Sequence, residues 1–327
     1  MRTRMQYYYF FKRVHGKKLK LAIYLSILTL LSQYSYADLG DGPRAYLPPP
    51  IDTNVFILNA IQVSGNSMLD SGVVLPDLDL DIDLLVAQYT RTMEIADRYV
   101  AFTVVQPQGR LSSKIAFPNA PNLESETNSK GLGDTQLLIS AGLYGLPPLT
   151  LATYRDYDPK LAVGGLARIT LPTGEYDEDK SANLGTNRYS LQLGSPITFG
   201  FGENLLDPRL TTLDLLPSIT IYSDNDDPFR ANKESQKPLF KFESHVTHNF
   251  NPAFWASIDS VYSYGGATKT DGQSDDNRQR SFNMGATLGF QFSAEFGLKL
   301  TYGKTIDHND DGWDGDFARL VLTYNQL

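Results

Sequence analysis

The chain has 327 residues, 41% of them hydrophobic, with 29 Lys and Arg against 37 Asp and Glu and a net charge of −8. That balance argues against nucleic acid as a partner, because phosphates are met by an excess of basic residues. There is no cysteine, so an exported form must be held by packing or by a closed hydrogen-bond network.

Residues 1–20 carry Arg2, Arg4, Lys12, Arg13, Lys17, Lys18 and Lys20 and no acid, LAIYLSILTLL (21–31) follows, and SQYSYA ends at Ala37. A basic region, a short apolar core and a small-residue site predict a secretory signal peptide, 1–37, cleaved after Ala37. The apolar run falls short of the roughly 20 residues of a spanning helix, and no later segment approaches that length. The mature chain, 38–327, loses seven cations with the leader, becomes more acidic, and reads as one domain.

NVFILNAIQVS (54–64), LLVAQYTRTM (84–93) and YVAFTVVQP (99–107) read as strands. DLDLDID (77–83) precedes the second as carboxylates alternating with Leu78, Leu80 and Ile82. It reads as a strand extension above a membrane with a hydrated acidic face, or as a negative mouth that concentrates cations. The stretch 111–130, rich in Ser, Asn and Pro, is the longest irregular segment and the candidate for a loop that folds inward. Further strands are GDTQLLISAGLYG (133–145), KLAVGGLARITLP (160–172), NRYSLQLGSPITFGF (187–201) and DLLPSITIYS (214–223).

The second half carries the cleanest alternation. LFKFESHVTHNF (239–250) sets Phe240, Phe242, Val246 and Phe250 on one face and Lys241, Glu243, His245, Thr247 and Asn249 on the other. Only NPA separates it from FWASIDSVYSY (254–264). After the hydrophilic stretch 265–280, FNMGATLGFQF (282–292) and FGLKLTYGKT (296–305) form a hairpin around Ser293-Ala294-Glu295. A second hydrophilic stretch, IDHNDDGWDGD, leads to FARLVLTYNQL (317–327). Short and long connections alternate, as in a barrel with tight periplasmic turns and long extracellular loops. Phe250, Phe254, Phe292 and Phe296 flank the short turns, while Tyr262, Tyr264 and Tyr302 mark the other strand ends, as two interfacial girdles would. The predicted fold is therefore all-β, an antiparallel transmembrane β-barrel of about twelve strands with both ends in the periplasm. The connections 146–159 and 202–213 are long for periplasmic turns, so ten or fourteen strands also fit. A periplasmic or secreted β-sandwich is the competing fold.

RAYLPPPIDTNVF (44–56), YTRTMEIADRYVAFTVVQP (89–107), GLGDTQL (131–137), LPTGEYD (171–177) and NLGTNRYSLQLG (183–194), in that order, resemble an outer-membrane transporter family associated with the meta-cleavage pathway of phenol degradation. The resemblance spans nearly all of the mature chain. It implies a single-chain barrel in a Gram-negative outer membrane that carries aromatic or other hydrophobic small molecules, and it transfers no binding residues. One departure is the end of the chain: Asn325-Gln326-Leu327 replaces the terminal aromatic usual in such barrels.

The strand parity points Arg168, Lys241, Glu243, Asp259, Asn283, Thr287, Gln291, Lys299, Thr301 and Arg319 into a lumen, with Thr170 and Ser257 beside them. Both charge signs occur, so charge selectivity is not legible. Gly285 and Gly289 share that inward face, where absent side chains leave room for a solute or a plugging loop. His245 and His248 project to opposite faces and cannot share a metal. No nucleophile motif accompanies them, and no enzymatic activity is expected. DHNDDG begins like a calcium loop, which makes Asp307, Asn309 and Asp311 candidate ligands of a weak surface Ca²⁺, although Ala318 replaces the usual glutamate. No other cofactor is implied. The expected partners are outer-membrane lipid, lipopolysaccharide and a small-molecule solute, and the sequence sets no oligomeric state. The leading functional reading is an outer-membrane channel or transporter for small molecules; the alternative is a structural or surface-adhesive barrel with a plugged lumen.

Overall fold

In a computed structural model the structure describes residues 40–66, 78–116, 124–158 and 160–327. The signal-peptide reading lies outside these residues. All of them fall within one compact unit, Ser35–Leu327. The strands are β1 (Asn54–Gly65), β2 (Leu78–Ile95), β3 (Arg98–Ala116), β4 (Glu124–Leu132), β5 (Thr135–Tyr144), β6 (Leu161–Leu171), β7 (Ser190–Gly194), β8 (Ile197–Phe201) and β9 (Thr211–Tyr222). After them come β10 (Glu234–Gln236), β11 (Leu239–Asn251), β12 (Phe254–Gly265), β13 (Thr268–Thr270), β14 (Gln273–Ser274), β15 (Gln279–Gln291), β16 (Phe296–His308) and β17 (Gly315–Gln326).

The main sheet closes on itself, because β17 pairs antiparallel with β1 from Gln326↔Asn54 to Gly315↔Gly65. Two ring positions are shared. β4 and β5 both lie along β3, and β7 and β8 both lie between β6 and β9. Ser195 and Pro196 interrupt the second of these, since proline has no N–H to give the ladder. Counted this way the barrel has twelve strands, in the order β1, β2, β3, β4/β5, β6, β7/β8, β9, β11, β12, β15, β16, β17. β10, β13 and β14 form a separate small sheet on the long-loop side.

Burial is inverted relative to a soluble domain. Phe56, Leu85, Phe102, Val246, Ile258, Leu288 and Leu322 are exposed on the outside, whereas Glu243, Asp259, Asn283 and Thr287 are buried inside. A closed antiparallel ladder with an apolar exterior is the β solution to a hydrocarbon solvent, because no backbone group is left unpaired there. Among the described residues no helix is long and apolar enough to cross a membrane. Aromatic pairs crowd the short-turn rim, including Phe250 with Phe254 at 5.5 Å, Phe56 with Tyr89 at 5.3 Å and Phe296 with Tyr324 at 4.8 Å.

The tight connections lie on one side. Ala96 and Asp97, at φ 51° and 59°, make the two-residue turn between β2 and β3. The two longer connections on that rim have structural partners. The Leu149 carbonyl accepts from Ile51 N at 2.8 Å, and the Leu210 carbonyl accepts from Asn249 N at 2.9 Å. They close over the barrel end, so their length adds no strand.

One expectation is corrected, and of the two readings of the acidic run the strand extension holds. The described parts of 111–130 are regular: β3 runs on to Ala116 and pairs with β4 from Gln108↔Leu132 to Ala116↔Glu124, so 111–116 and 124–130 are paired strands of an arm beyond β5. Its serines and asparagines hide the alternation that the backbone ladder nevertheless sustains. The acidic run extends β2, with Leu80 and Ile82 inward at 1% and 3% exposure. Asp81 faces out, and Asp83 accepts from Gln62 at 2.8 Å and Arg110 at 2.7 Å, so these two carboxylates do not ring the mouth.

Candidate functional site in the barrel interior

The interior is occupied by the residues just before β1. Gly40–Pro50 reads GDGPRAYLPPP, a stretch whose four prolines suit it to cross a lumen without a strand partner, since each lacks an N–H that would need an acceptor. Its contacts run from β6 round to β17 and end on β2, where Thr92 donates to the Pro50 carbonyl at 2.7 Å. Asp41 accepts from Arg168 of β6 at 2.6 and 2.8 Å and gives its own N–H to Glu243 of β11 at 3.0 Å. Tyr46 also donates to Asp41. Lys299 of β16 donates to the Pro43 carbonyl at 3.2 Å, and Arg319 of β17 to the Gly40 carbonyl at 3.0 Å. Arg44 donates to Thr247 at 3.1 Å and Asn249 at 2.8 Å, with its guanidinium 4.5 Å from the Trp255 ring. At its end Thr53 N donates to Thr92 Oγ1 at 3.0 Å, and Asp52 pairs with Arg91 at 2.7 Å.

Behind these anchors the wall is a polar ladder. His245 bonds Asp259 at 2.8 Å, Thr287 and Ser257 both donate to Asp259, and Thr287 bonds Thr301 at 2.9 Å. Asn283 accepts from Thr305 at 3.0 Å, and Thr170 is buried. Buried polar groups of this kind survive only when bonded, and the network fixes their positions.

The opposite wall, β1 to β3 with β5, mixes apolar residues with Asn59, Gln88, Thr90, Thr103, Gln136 and Ser140, and the segment leaves it uncovered in two places. One cavity of about 190 Å³ meets Ile61, Ile82, Leu84, Val86 and Val105, with Lys241, Glu243, Arg168 and Arg319 on its far side. Another of about 330 Å³, towards the short-turn end, meets Val55, Ile57, Tyr99, Ala101 and Leu138, with Arg44, Gln291 and Lys299 across from them.

The long-loop mouth is narrowed by the β6–β7 connection, 172–189, which Leu111 and Ser129 also touch. Asp134 draws it inward by accepting from Gly174 N and Thr186 N, each at 2.8 Å, and from Thr186 Oγ1 at 2.7 Å. Ala182 packs among Val63, Leu80, Ile82, Leu111, Val261 and Phe317. Gly174 and Gly185 touch where the loop's limbs cross, since a Cβ on Gly174 would lie 2.7 Å from the Gly185 Cα.

Gly289 offers no space, because the Trp255 indole fills it. Asp307, Asn309 and Asp311 do not converge on a cation position. Asp307 pairs with Arg280, and Asn309 bonds the Arg280 N–H and the Arg278 carbonyl. Among the described residues no group of three or more His, Cys, Asp or Glu could hold a metal. Sequence reasoning missed Asp41, Arg44, Asp134, Trp255 and the 172–189 loop. For Trp255 the signal was present, since it stands on the opposite parity from Phe254, Ala256 and Ile258.

A family described as "Putative MetA-pathway of phenol degradation" matches residues 65–316. Among solved structures the chain is similar to an outer membrane channel from Pseudomonas putida F1, at 23% identity and a TM-score of 0.69, over 87% of this chain and 98% of that one. It is less similar to the beta domain of the Bordetella autotransporter BrkA, at 7% identity and a TM-score of 0.43, over 83% and 98%. The first of these is a likeness of fold. No curated protein matches the chain.

Proposed function

The chain belongs to that phenol-degradation family, and from this premise we propose that it is an outer-membrane channel for small aromatic or otherwise hydrophobic molecules. The observation that supports the reading is the sidedness of the lumen. Most of the inner segment's side-chain bonds go to the polar wall, with Pro50 held by Thr92 of β2, and both cavities beside it are lined on one side by apolar residues of β1 to β3. An apolar solute passing there sheds water against Ile82, Val86, Val105 and Leu138 without breaking the polar ladder. Outer-membrane lipid surrounds the apolar belt, lipopolysaccharide meets the long loops, and transport proceeds by passage without catalysis. The filled lumen favours a second reading, a structural barrel whose extracellular loops carry the role.

Liposome flux separates the two. A channel passes toluene-sized neutral solutes faster than protein-free liposomes do, and planar bilayers containing it show conductance steps. Folded protein, judged by heat-modifiable mobility, that raises neither flux nor conductance would sink the channel reading.

A further inference from the structure

The two cavities differ in charge. Asp41, Asp134 and Glu243 stand among the cations of the smaller one. Around the larger one the charged side chains are Arg44 and Lys299, with no carboxylate between them. The acceptors these cations use are neutral: the Pro43 carbonyl for Lys299, and Thr247 and Asn249 for Arg44. Among the described residues neither lies within 4.0 Å of a carboxylate oxygen, and the two repel one another while Asp214 and Asp259 attract them from further off. An anion seated between the two gains charge-assisted hydrogen bonds that no carboxylate of the cavity lining supplies. Facing them are Val55, Ile57, Leu138 and the Tyr99 ring.

We propose that this cavity binds a small amphiphilic carboxylate, an aromatic or short acyl acid. Its head sits between Arg44 and Lys299, and its body lies along Val55, Ile57 and Leu138. The cavity of about 330 Å³ is within the size of small-ligand sites. The proposal rests on the channel reading and names the class of solute that pauses on the way through.

Trp255, under Arg44, is the reporter. It and Trp313 are the two tryptophans of the chain, so a Trp313→Phe background leaves one signal. Folded full-length protein in nanodiscs is titrated with 4-phenylbutyrate and with its neutral amide. The acid is expected to bind about tenfold more tightly or better, the size of one charge-assisted contact. Lys299→Met should weaken the acid more than the amide and so remove that preference, and Lys299→Arg should keep it. Equal binding of acid and amide by the unchanged protein overturns the proposal, as does a preference that survives Lys299→Met. Liposome flux of the amide is read in parallel. Amide flux without acid preference defeats the carboxylate site and leaves the channel, whereas acid binding without any flux defeats the channel and leaves the site.

Discussion

A Cβ on Gly289 would lie 1.9 Å from the Trp255 ring, so the missing side chain on β15 is the space in which the β12 indole sits. That indole in turn carries Arg44 of the inner segment. Gly289→Ala should push the ring off its seat, with a strain cost of about 1–3 kcal/mol typical of overpacking. Because the ladder around it is closed, the barrel should still insert. The expected outcome is a lower unfolding midpoint together with a raised single-channel conductance.

Asp41 is the carboxylate through which the segment meets β6. Asp41→Asn removes the ion pair with Arg168, whose side chains are 18% and 22% exposed. Breaking a partly buried pair loosens the segment more than any single neutral hydrogen bond would. A several-fold rise in conductance at unchanged heat-modifiable mobility is expected, and an unchanged conductance would show that the segment is held elsewhere.

Neighbours on β15 should respond differently to substitution. Leu288→Arg places charge on the apolar exterior, where the cost is about 2–4 kcal/mol near mid-membrane, so folding yield into lipid should fall. Thr287→Val removes the hydroxyl shared with Asp259 and Thr301 inside the wall. It should lower stability by roughly 1–3 kcal/mol with insertion retained. Denaturant titration of liposome-inserted protein compares the two.

Asp134→Ala deletes three hydrogen bonds that hold the 172–189 connection in the mouth. Hydrogen exchange at Gly174 and Thr186, whose N–H groups Asp134 holds, should accelerate, while the stretch around Ala182 stays protected in its apolar cluster. Protection in β6 itself should be unchanged.

Glu234, on the small outer sheet, is held above the ordinary carboxylate range because burial outweighs the pull of Arg188, 3.5 Å away. The folded state therefore binds this proton more tightly than the unfolded chain does. Its contribution favours folding at acid pH and is lost as pH rises through its raised value. Glu234→Gln should flatten the rise in hydrogen exchange of β10 and β13 between acid and neutral pH, and an unchanged slope would assign that dependence to another group.

Period 2 was enough to locate all twelve barrel strands, because each strand stands between two solvents and its residues must alternate accordingly. The same alternation is weak in LSSKIA and ESETNSKGL, which pair above the apolar belt where neither face has to be greasy. There composition misleads, and a hairpin reads as a loop. The inward residues were legible one strand at a time, but their partners were not. Nothing local to Asp41 or Arg168 records that residues 127 apart in sequence meet at 2.6 Å.

The sequence by itself determined amphipathic antiparallel strands and where they turn, since local alternation and turn chemistry are enough to specify those. Closure of the ladder rests on β1 meeting β17 across the whole chain. Only the tertiary structure decided what fills the interior. The Pro-rich segment, the indole in the space at Gly289 and the loop drawn in by Asp134 all depend on strands far apart in the chain meeting across the lumen. That closure sets the segment's anchors around the lumen and leaves two cavities with an apolar side on β1 to β3, the Arg44 and Lys299 cations facing the larger one.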